Sequence, residues 1–112
     1  MTQLQASIIA TVRNEKDTIE AFLESLLDQS AKPSEIIIVD GASSDGTKEI
    51  LESYSDKGKI VLISQDCNIA EGRNLGINKA KSDIIAVTDA GCIVTKEWLE
   101  NILACFSCEP HP

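Results

Sequence analysis

The chain has 112 residues, of which 43% are hydrophobic and 4% aromatic, and 18 acidic residues against 10 basic ones give a formal charge of −8. This length predicts one small domain over residues 1–112, with enough apolar content for a compact core. The negative charge argues against nucleic-acid binding, because no Lys/Arg cluster offsets the repulsion of a phosphate backbone.

No apolar run in the sequence approaches the roughly 20 residues that span a bilayer. The N-terminal stretch "MTQLQASIIATV" also lacks the basic flank of a signal peptide. We therefore expect a chain without a membrane segment and a cytoplasmic location, at the cytoplasmic face of the membrane if the chain is part of a longer protein.

The positions of the cysteines predict reduced, packed thiols in a reducing compartment, because most of them lie in or beside apolar periodic segments. A zinc site is the less favoured alternative. Cys105, Cys108 and His111 resemble half of such a site, but a closed structural site needs four ligands. The remaining residues, Cys67 and Cys92, lack the paired spacing that would complete it.

Strand and helix patterns alternate along the chain. Aliphatic and β-branched runs predict strands over Ala6 to Val12, Glu35 to Asp40, Lys59 to Ser64 and Ile84 to Val87. After each strand, apolar residues recur at helical spacing. The predicted inward residues of the first two helices are Ile19, Phe22, Leu23, Leu26 and Leu27, then Ile50, Leu51 and Tyr54.

The third helix is predicted over Ile69 to Lys81 with Ala70, Ile77 and Ala80 inward. The fourth is predicted to start at Thr95 and to pack Trp98, Leu99, Ile102, Leu103 and Phe106. Successive β-α units of this kind predict an α/β fold with three layers, Rossmann-like, around a mainly parallel sheet of about four strands.

The loops after the strands carry polar side chains instead of a phosphate-binding glycine motif. The first β-α turn, "TVRNEKDT", contains no glycine, which excludes a dinucleotide fingerprint and a P-loop. The first turn presents Thr11, Arg13 and Asn14, the second presents Asp40, and the fourth presents Asp89. Because carboxyl ends of parallel strands share one edge of a sheet, these groups should converge there. They suit the edge of a base and a ribose.

Four segments of the chain match, in the correct order, the motifs of one known enzyme family. "SIIATVRNE" resembles its opening strand and T-Y-N-E turn, and "EIIIVDGASSDGT" resembles its V-D-x-G-S-x-D-G-T signature. "GRNLGINKAKSDIIAVTDAGC" resembles its A-R-N-x-G-I-x-x-A-x-G-D strand that leads into a D-x-D motif, and "WLENILACF" resembles the helix that follows. In these motifs the chain resembles family 2 glycosyltransferases with the GT-A fold. The resemblance covers almost the whole chain and is to the N-terminal, nucleotide-sugar-binding half of the family domain.

The resemblance implies that a nucleotide-diphosphate sugar binds at these turns. Thr11, Arg13 and Asn14 would line the base pocket, with Arg13 where the family often has an aromatic residue. Asp40 would contact the base or the ribose. Arg73 corresponds to the arginine of the A-R-N motif and completes the expected nucleotide-sugar-binding set together with Asp89.

The resemblance also implies a divalent metal, Mg²⁺ or Mn²⁺, held at the D-x-D motif. Asp89 is the first aspartate of that motif and the expected metal ligand. Gly91 replaces the second carboxylate, so we expect weaker metal binding than in relatives. Gly41 stands where many relatives have another acidic residue.

Structural roles compete with these assignments. Asp40 and Asp89 could be caps at strand-helix turns. Asp45 is interpreted as a turn and helix cap with its serine neighbours rather than as a ligand. Arg73 could equally be a solvated or ion-paired helix residue.

We interpret the chain as the donor-binding half of a glycosyltransferase that moves a sugar from a nucleotide-diphosphate sugar to an acceptor. Relatives supply the general base from an acceptor-binding half, and no catalytic residue is assigned here. We therefore expect the isolated chain to be inactive. The alternatives are a non-catalytic nucleotide-sugar-binding module or partner subunit, and an α/β interaction domain. Ile84 to Val87 should lie at an unpaired sheet edge, which favours self-association as a two-fold dimer.

Overall fold

A computed structural model describes residues 5–91 and 93–107, in which strands and helices alternate. The strands are β1 (Ala6–Val12), β2 (Glu35–Asp40), β3 (Val61–Ser64) and β4 (Ile84–Asp89). The helices are α1 (Ile19–Leu27), α2 (Thr47–Asp56), α3 (Ile69–Lys79) and α4 (Trp98–Ser107). Cys92, Cys108 and His111 lie outside the described residues, so the zinc alternative is not tested. Of the described helices, none has the length and apolar character to cross a membrane.

The strands form one parallel sheet in the order β3-β2-β1-β4, which confirms the predicted α/β fold. Side chains of β1 alternate between the two faces, as the two-residue period of a strand requires. Ile8 and Ala10 pack in a core with α1, α2 and α4, whereas Ile9 packs on the opposite face with Leu75 of α3. The sheet is therefore the middle of three layers.

The predicted inward face of α3 is wrong in part. Ala70 and Ile77 are exposed, and only Ala80, just past the helix end, packs against the core. The buried residues of the helix are Gly72 and Gly76. Hydrophobic periodicity misplaced this face because the helix turns its smallest residues, rather than its apolar ones, toward the sheet.

Glycines occupy the buried positions of α3 because this helix approaches β1 closely. A Cβ atom added at Gly76 would lie 2.5 Å from Cγ2 of Ile9, and one added at Gly72 would lie 3.0 Å from Cγ2 of Thr11. The first distance is far inside van der Waals contact, so the helix cannot hold this position with any larger residue at 76. The glycines set the spacing between the α3 layer and the sheet.

The fourth helix begins at Trp98 and not at the predicted Thr95. Buried Gln29 organises its start: the side-chain amide donates to the Thr95 carbonyl at 2.7 Å, and the amide oxygen accepts from the Leu99 backbone N–H at 2.8 Å. Leu99 is buried as predicted, whereas Phe106 is 60% exposed, so the prediction that Phe106 packs in the core is wrong.

The position of β4 at the edge of the sheet is confirmed. Within the described residues it pairs only with β1, and its outer side has no strand neighbour. Val87 in this strand is 40% exposed. The edge therefore combines free backbone groups with exposed apolar surface.

We expect Gly76→Ala to destabilise the protein although alanine is the better helix former. Overpacking a core position costs about 1–3 kcal/mol, and the gain in helix propensity returns about 1 kcal/mol. The net loss in the free energy of unfolding should therefore be up to about 2 kcal/mol, measured by urea denaturation. The control is Asn78→Ala on the exposed side of the same helix, which should be neutral or slightly stabilising. Equal stability of the two variants would contradict the close approach of α3.

Candidate functional site

The strand order reverses at β1, and a cleft lies where it does so. The chain runs from β1 outward to β2 and β3, then returns to place β4 on the other side of β1. Open α/β sheets bind ligands beyond the carboxyl ends of their strands at such a switch point. Here the cleft has a volume of about 710 Å³, within the range of small-molecule sites. It is lined by the ends of β1, β2 and β4, the loops that follow β1 and β2, the β3–α3 loop and the start of α3.

Three of the predicted site residues line this cleft: Thr11, Arg13 and Asp89. Thr11 and Asp89 are direct partners in the register of β1 and β4, so their side chains leave adjacent strands at the switch point. Arg13 follows β1 in the loop and is exposed. The structure thus brings a hydroxyl, a guanidinium and a carboxylate to one opening.

Arg73 reaches the cleft through Asp89. Its Nη2 donates to Oδ1 of Asp89 at 3.1 Å, and the two side chains are 44% and 58% exposed. An exposed pair of this kind contributes about 0–1 kcal/mol and is readily exchanged for another partner. The Arg73 Nε atom is buried and has no hydrogen-bond partner among the described residues. Of the two roles open to Arg73, the ion-paired one is present in this structure.

The other two predicted residues, Asn14 and Asp40, are not among the residues that line the cleft, and they join its loops. Asp40 is fully buried, and its Oδ1 accepts from the Ser43 hydroxyl at 2.5 Å. The Asn14 backbone N–H donates to the same hydroxyl at 2.9 Å, while its side-chain oxygen accepts from the Ser44 N–H at 2.8 Å. This network ties the β1–α1 loop to the β2–α2 loop. Contact of Asn14 and Asp40 with a nucleotide stays a prediction.

Asp45 has the turn role that the sequence favours. Its carboxylate accepts from the hydroxyl and the backbone N–H of Thr47 at the start of α2, and from the backbone N–H of Lys16 at 3.2 Å. The hydrogen bond from the Thr47 hydroxyl, followed by these backbone donors, lowers the pKa of Asp45. The carboxylate therefore stays ionised and bound to its own loops.

The cleft also contains residues that the sequence reasoning missed, among them Glu15, Cys67 and Asn68. Asn68 begins α3 through a reciprocal capping box with Glu71, whose N–H donates to Asn68 Oδ1 at 2.8 Å while its Oε1 accepts from the Asn68 N–H at 2.9 Å. The N-x-x-E spacing is a signal that could have located this loop. Burial raises the pKa of the Cys67 thiol, which argues against a thiolate there.

The two glycines that the resemblance places at acidic positions, Gly41 and Gly91, lie beside residues that line this cleft. A Cβ atom at Gly41 would lie 3.1 Å from the Cys67 carbonyl oxygen, so an acidic residue at 41 would require the β3–α3 loop to shift. Gly91 has φ +94°, a conformation that L side chains rarely adopt. A Cβ atom there would lie 3.6 Å from Oε1 of Glu15.

The carboxylates of the cleft are compatible with a divalent metal that is held partly by a ligand. The described residues contain no group of three or more metal-ligating side chains, which excludes a dedicated protein cage within that part of the chain. Mg²⁺ at phosphate sites, however, is usually held by one or two carboxylates, the phosphates and water. Asp89 and Glu15 both line the cleft and meet that smaller requirement.

Comparison with known proteins identifies the family. Residues 7–111 match the family model described as glycosyl transferase family 2. The chain belongs to this family. It is 33% identical over 100 residues to glycosyltransferase AglE of Haloferax volcanii, an alignment that covers 85% of this chain and 33% of AglE. It is 41% identical over 85 residues to the UDP-Glc:α-D-GlcNAc-diphosphoundecaprenol β-1,3-glucosyltransferase WfaP of Escherichia coli, covering 75% of this chain and 34% of that enzyme.

Solved structures agree with the GT-A fold assignment. TarS of S. aureus, residues 1–349, in complex with UDP-GlcNAc, superposes on this family 2 chain with a TM-score of 0.80 at 25% sequence identity. The superposition covers 93% of this chain and 31% of the TarS 1–349 chain. This chain therefore spans about a third of the length of the relatives that it matches.

Proposed function

We propose that this chain binds the nucleotide-diphosphate sugar donor of a glycosyl transfer reaction in the cleft between β1 and β4. The observation that carries the proposal is the register of these strands, which pairs Thr11 with Asp89 at the mouth of the cleft. Family membership supports the same reaction class, and the names of WfaP and of the TarS complex specify UDP-sugars for those proteins.

The lining of the cleft suits the parts of such a donor. Arg13 can donate two parallel hydrogen bonds to diphosphate oxygens, which makes it the cleft side chain best suited to the anionic part. Asp89 can accept from ribose hydroxyls, and Thr11 can bond to the base edge. Ile69 and Ala70 at the start of α3 are exposed and give apolar surface to a sugar or base face.

Asp89 is the residue that we assign to a divalent cation, Mg²⁺ or Mn²⁺. A cation bound there would neutralise charge that develops on the departing diphosphate. Asp89 can serve as its ligand through Oδ2, because Arg73 donates only to Oδ1. Because Gly91 contributes no carboxylate, the affinity for the cation alone should be low.

For the protein as a whole we propose sugar transfer, with this chain as the donor-binding half. The alternative is a nucleotide-sugar-binding module that does not catalyse transfer. No residue of the chain is assigned as general base, so we expect neither hydrolysis nor transfer of a bound donor. Donor turnover well above background in an assay of the chain would contradict this division of roles.

Nucleotide binding tests the proposal directly. Calorimetric titration of UDP, GDP and dTDP in the presence of Mn²⁺ should show saturable binding of at least one nucleotide. Charge-assisted hydrogen bonds contribute about 1.5–3 kcal/mol, so Arg13→Ala should weaken that binding by about tenfold or more. The matched control is Lys57→Ala, an exposed cation at the end of α2 outside the cleft lining.

The same titration separates two roles of Asp40. If Asp40 contacts the base or the ribose, as we propose, Asp40→Ala should weaken nucleotide binding more than Ser43→Ala does. Both substitutions remove the hydrogen bond that anchors the β2–α2 loop, but only the first removes a carboxylate. Equal losses would assign Asp40 to loop support alone. Absence of binding by all three nucleotides would refute the donor site.

We also propose that the chain self-associates through the outer edge of β4. An edge strand with unpaired backbone groups and apolar side chains is a template for pairing with a second copy. Val87→Lys should shift light-scattering mass toward the monomer across a concentration series, because charge on an edge discourages pairing. Ile77→Lys is the matched control, since Ile77 is 41% exposed but lies on α3, away from the edge. A wild-type chain that remains monomeric at every concentration would exclude this dimer.

A further inference from the structure

We propose that Glu15 supplies the second carboxylate of the divalent-cation site, from the β1–α1 loop, in place of a side chain at position 91. The inference rests on the proposed donor site and adds a specific ligand to it. It assigns a role to the cleft carboxylate that has no predicted function and accounts for the glycine in the D-x-D position.

The geometry around Gly91 carries the inference. A Cβ atom at this position would lie 3.6 Å from Oε1 and 3.8 Å from Oε2 of Glu15. The Glu15 carboxylate is therefore the group that a side chain at 91 would meet first. The φ of +94° at Gly91 makes any L residue there strained, so this backbone opposes a carboxylate from position 91 and leaves the space beside it to Glu15.

The backbone of Glu15 is held firmly enough to aim the side chain. Its N–H donates to the Thr47 hydroxyl at 3.0 Å, which anchors the loop to the start of α2. Its carbonyl accepts from the backbone N–H groups of Thr18 at 3.0 Å and Ile19 at 2.8 Å, which anchors it to the start of α1. A ligand on a loop fixed at both helices loses little conformational entropy when it binds a cation.

The charges around the cleft also single out Glu15. In residues 5–91 and 93–107, the ion pair between Arg73 and Asp89 is the only one, so the Glu15 carboxylate has no ion-pair partner in that part of the chain. Oε1 of Glu15 accepts from the Thr18 hydroxyl at 3.2 Å, which leaves Oε2 for another ligand. A cation on a diphosphate needs one or two carboxylates, and Glu15 with Asp89 provides two.

A structural role offers the competing explanation: Glu15 would serve only to order the start of α1 through Thr18. The two explanations separate in Glu15→Gln. The amide keeps the length of the side chain and an oxygen that can accept from the Thr18 hydroxyl, but it loses the charge that a divalent cation requires. A structural role would leave cation affinity unchanged in this variant.

The experiment measures Mn²⁺ binding to the full chain by loss of the free-ion EPR signal, with saturating UDP and without it. The wild type and Glu20→Gln should bind Mn²⁺ with equal affinity in the presence of UDP, because Glu20 is exposed on α1 and does not line the cleft. Glu15→Gln should bind at least about tenfold more weakly. UDP affinity in EDTA should be the same in all three proteins, and circular dichroism should show the same fold.

Every other outcome of these titrations contradicts one specific part of the proposal. Equal Mn²⁺ affinity of Glu15→Gln and the wild type refutes the role of Glu15 and leaves the donor site intact. The same holds if UDP binds but Mn²⁺ does not bind with it. A loss of UDP affinity in EDTA, or of the fold, in Glu15→Gln would show that Glu15 acts on the nucleotide or the loop instead of on the cation. No UDP binding by any of the proteins refutes the proposed function itself.

Discussion

The pairing of β1 with a strand on each side is the constraint on which the rest of the structure depends. β1 is hydrogen-bonded to β2 on one side and to β4 on the other, and all of its residues except Thr11 are buried. Because the strand order reverses there, the carboxyl ends of β1 and β4 border the cleft. Thr11 is partly exposed for this reason, because it is the residue of β1 at which the buried centre of the sheet borders the cleft.

Close packing of α3 against that strand determines the shape of the site. Gly72 lies over Thr11 and Val39, and Gly76 lies over Ile9, so the start of the helix is drawn down to the ends of the strands. This approach brings the β3–α3 loop within contact of Gly41 and makes it a wall of the cleft. The same close contact therefore determines both the packing of the core and the shape of the cleft. The glycines of α3, which have no side chain in the core, also leave room in the cleft.

The net negative charge of the chain determines what the site must provide to bind a diphosphate. A chain with a net charge of −8 repels a diphosphate at long range, so binding depends on local positive charge. Among the residues that line the cleft, Arg13 is the only cationic side chain in the described part of the chain, and Arg73 is engaged with Asp89 at the rim. A divalent cation held by carboxylates would turn part of the acidic lining into an attractive surface for the donor.

The sequence by itself determined the fold class and much of the site. Buried aliphatic runs and helical periodicity are local signals, and they located β1 and β2 to the residue and placed Thr11, Arg13 and Asp89 at the edge where the cleft lies. Tertiary structure alone decided the inward face of α3, because a contact between glycines and a sheet leaves no hydrophobic signal. It also decided that Glu15 stands beside Gly91, since the two are far apart in the chain and meet only through the pairing of β1 with β4.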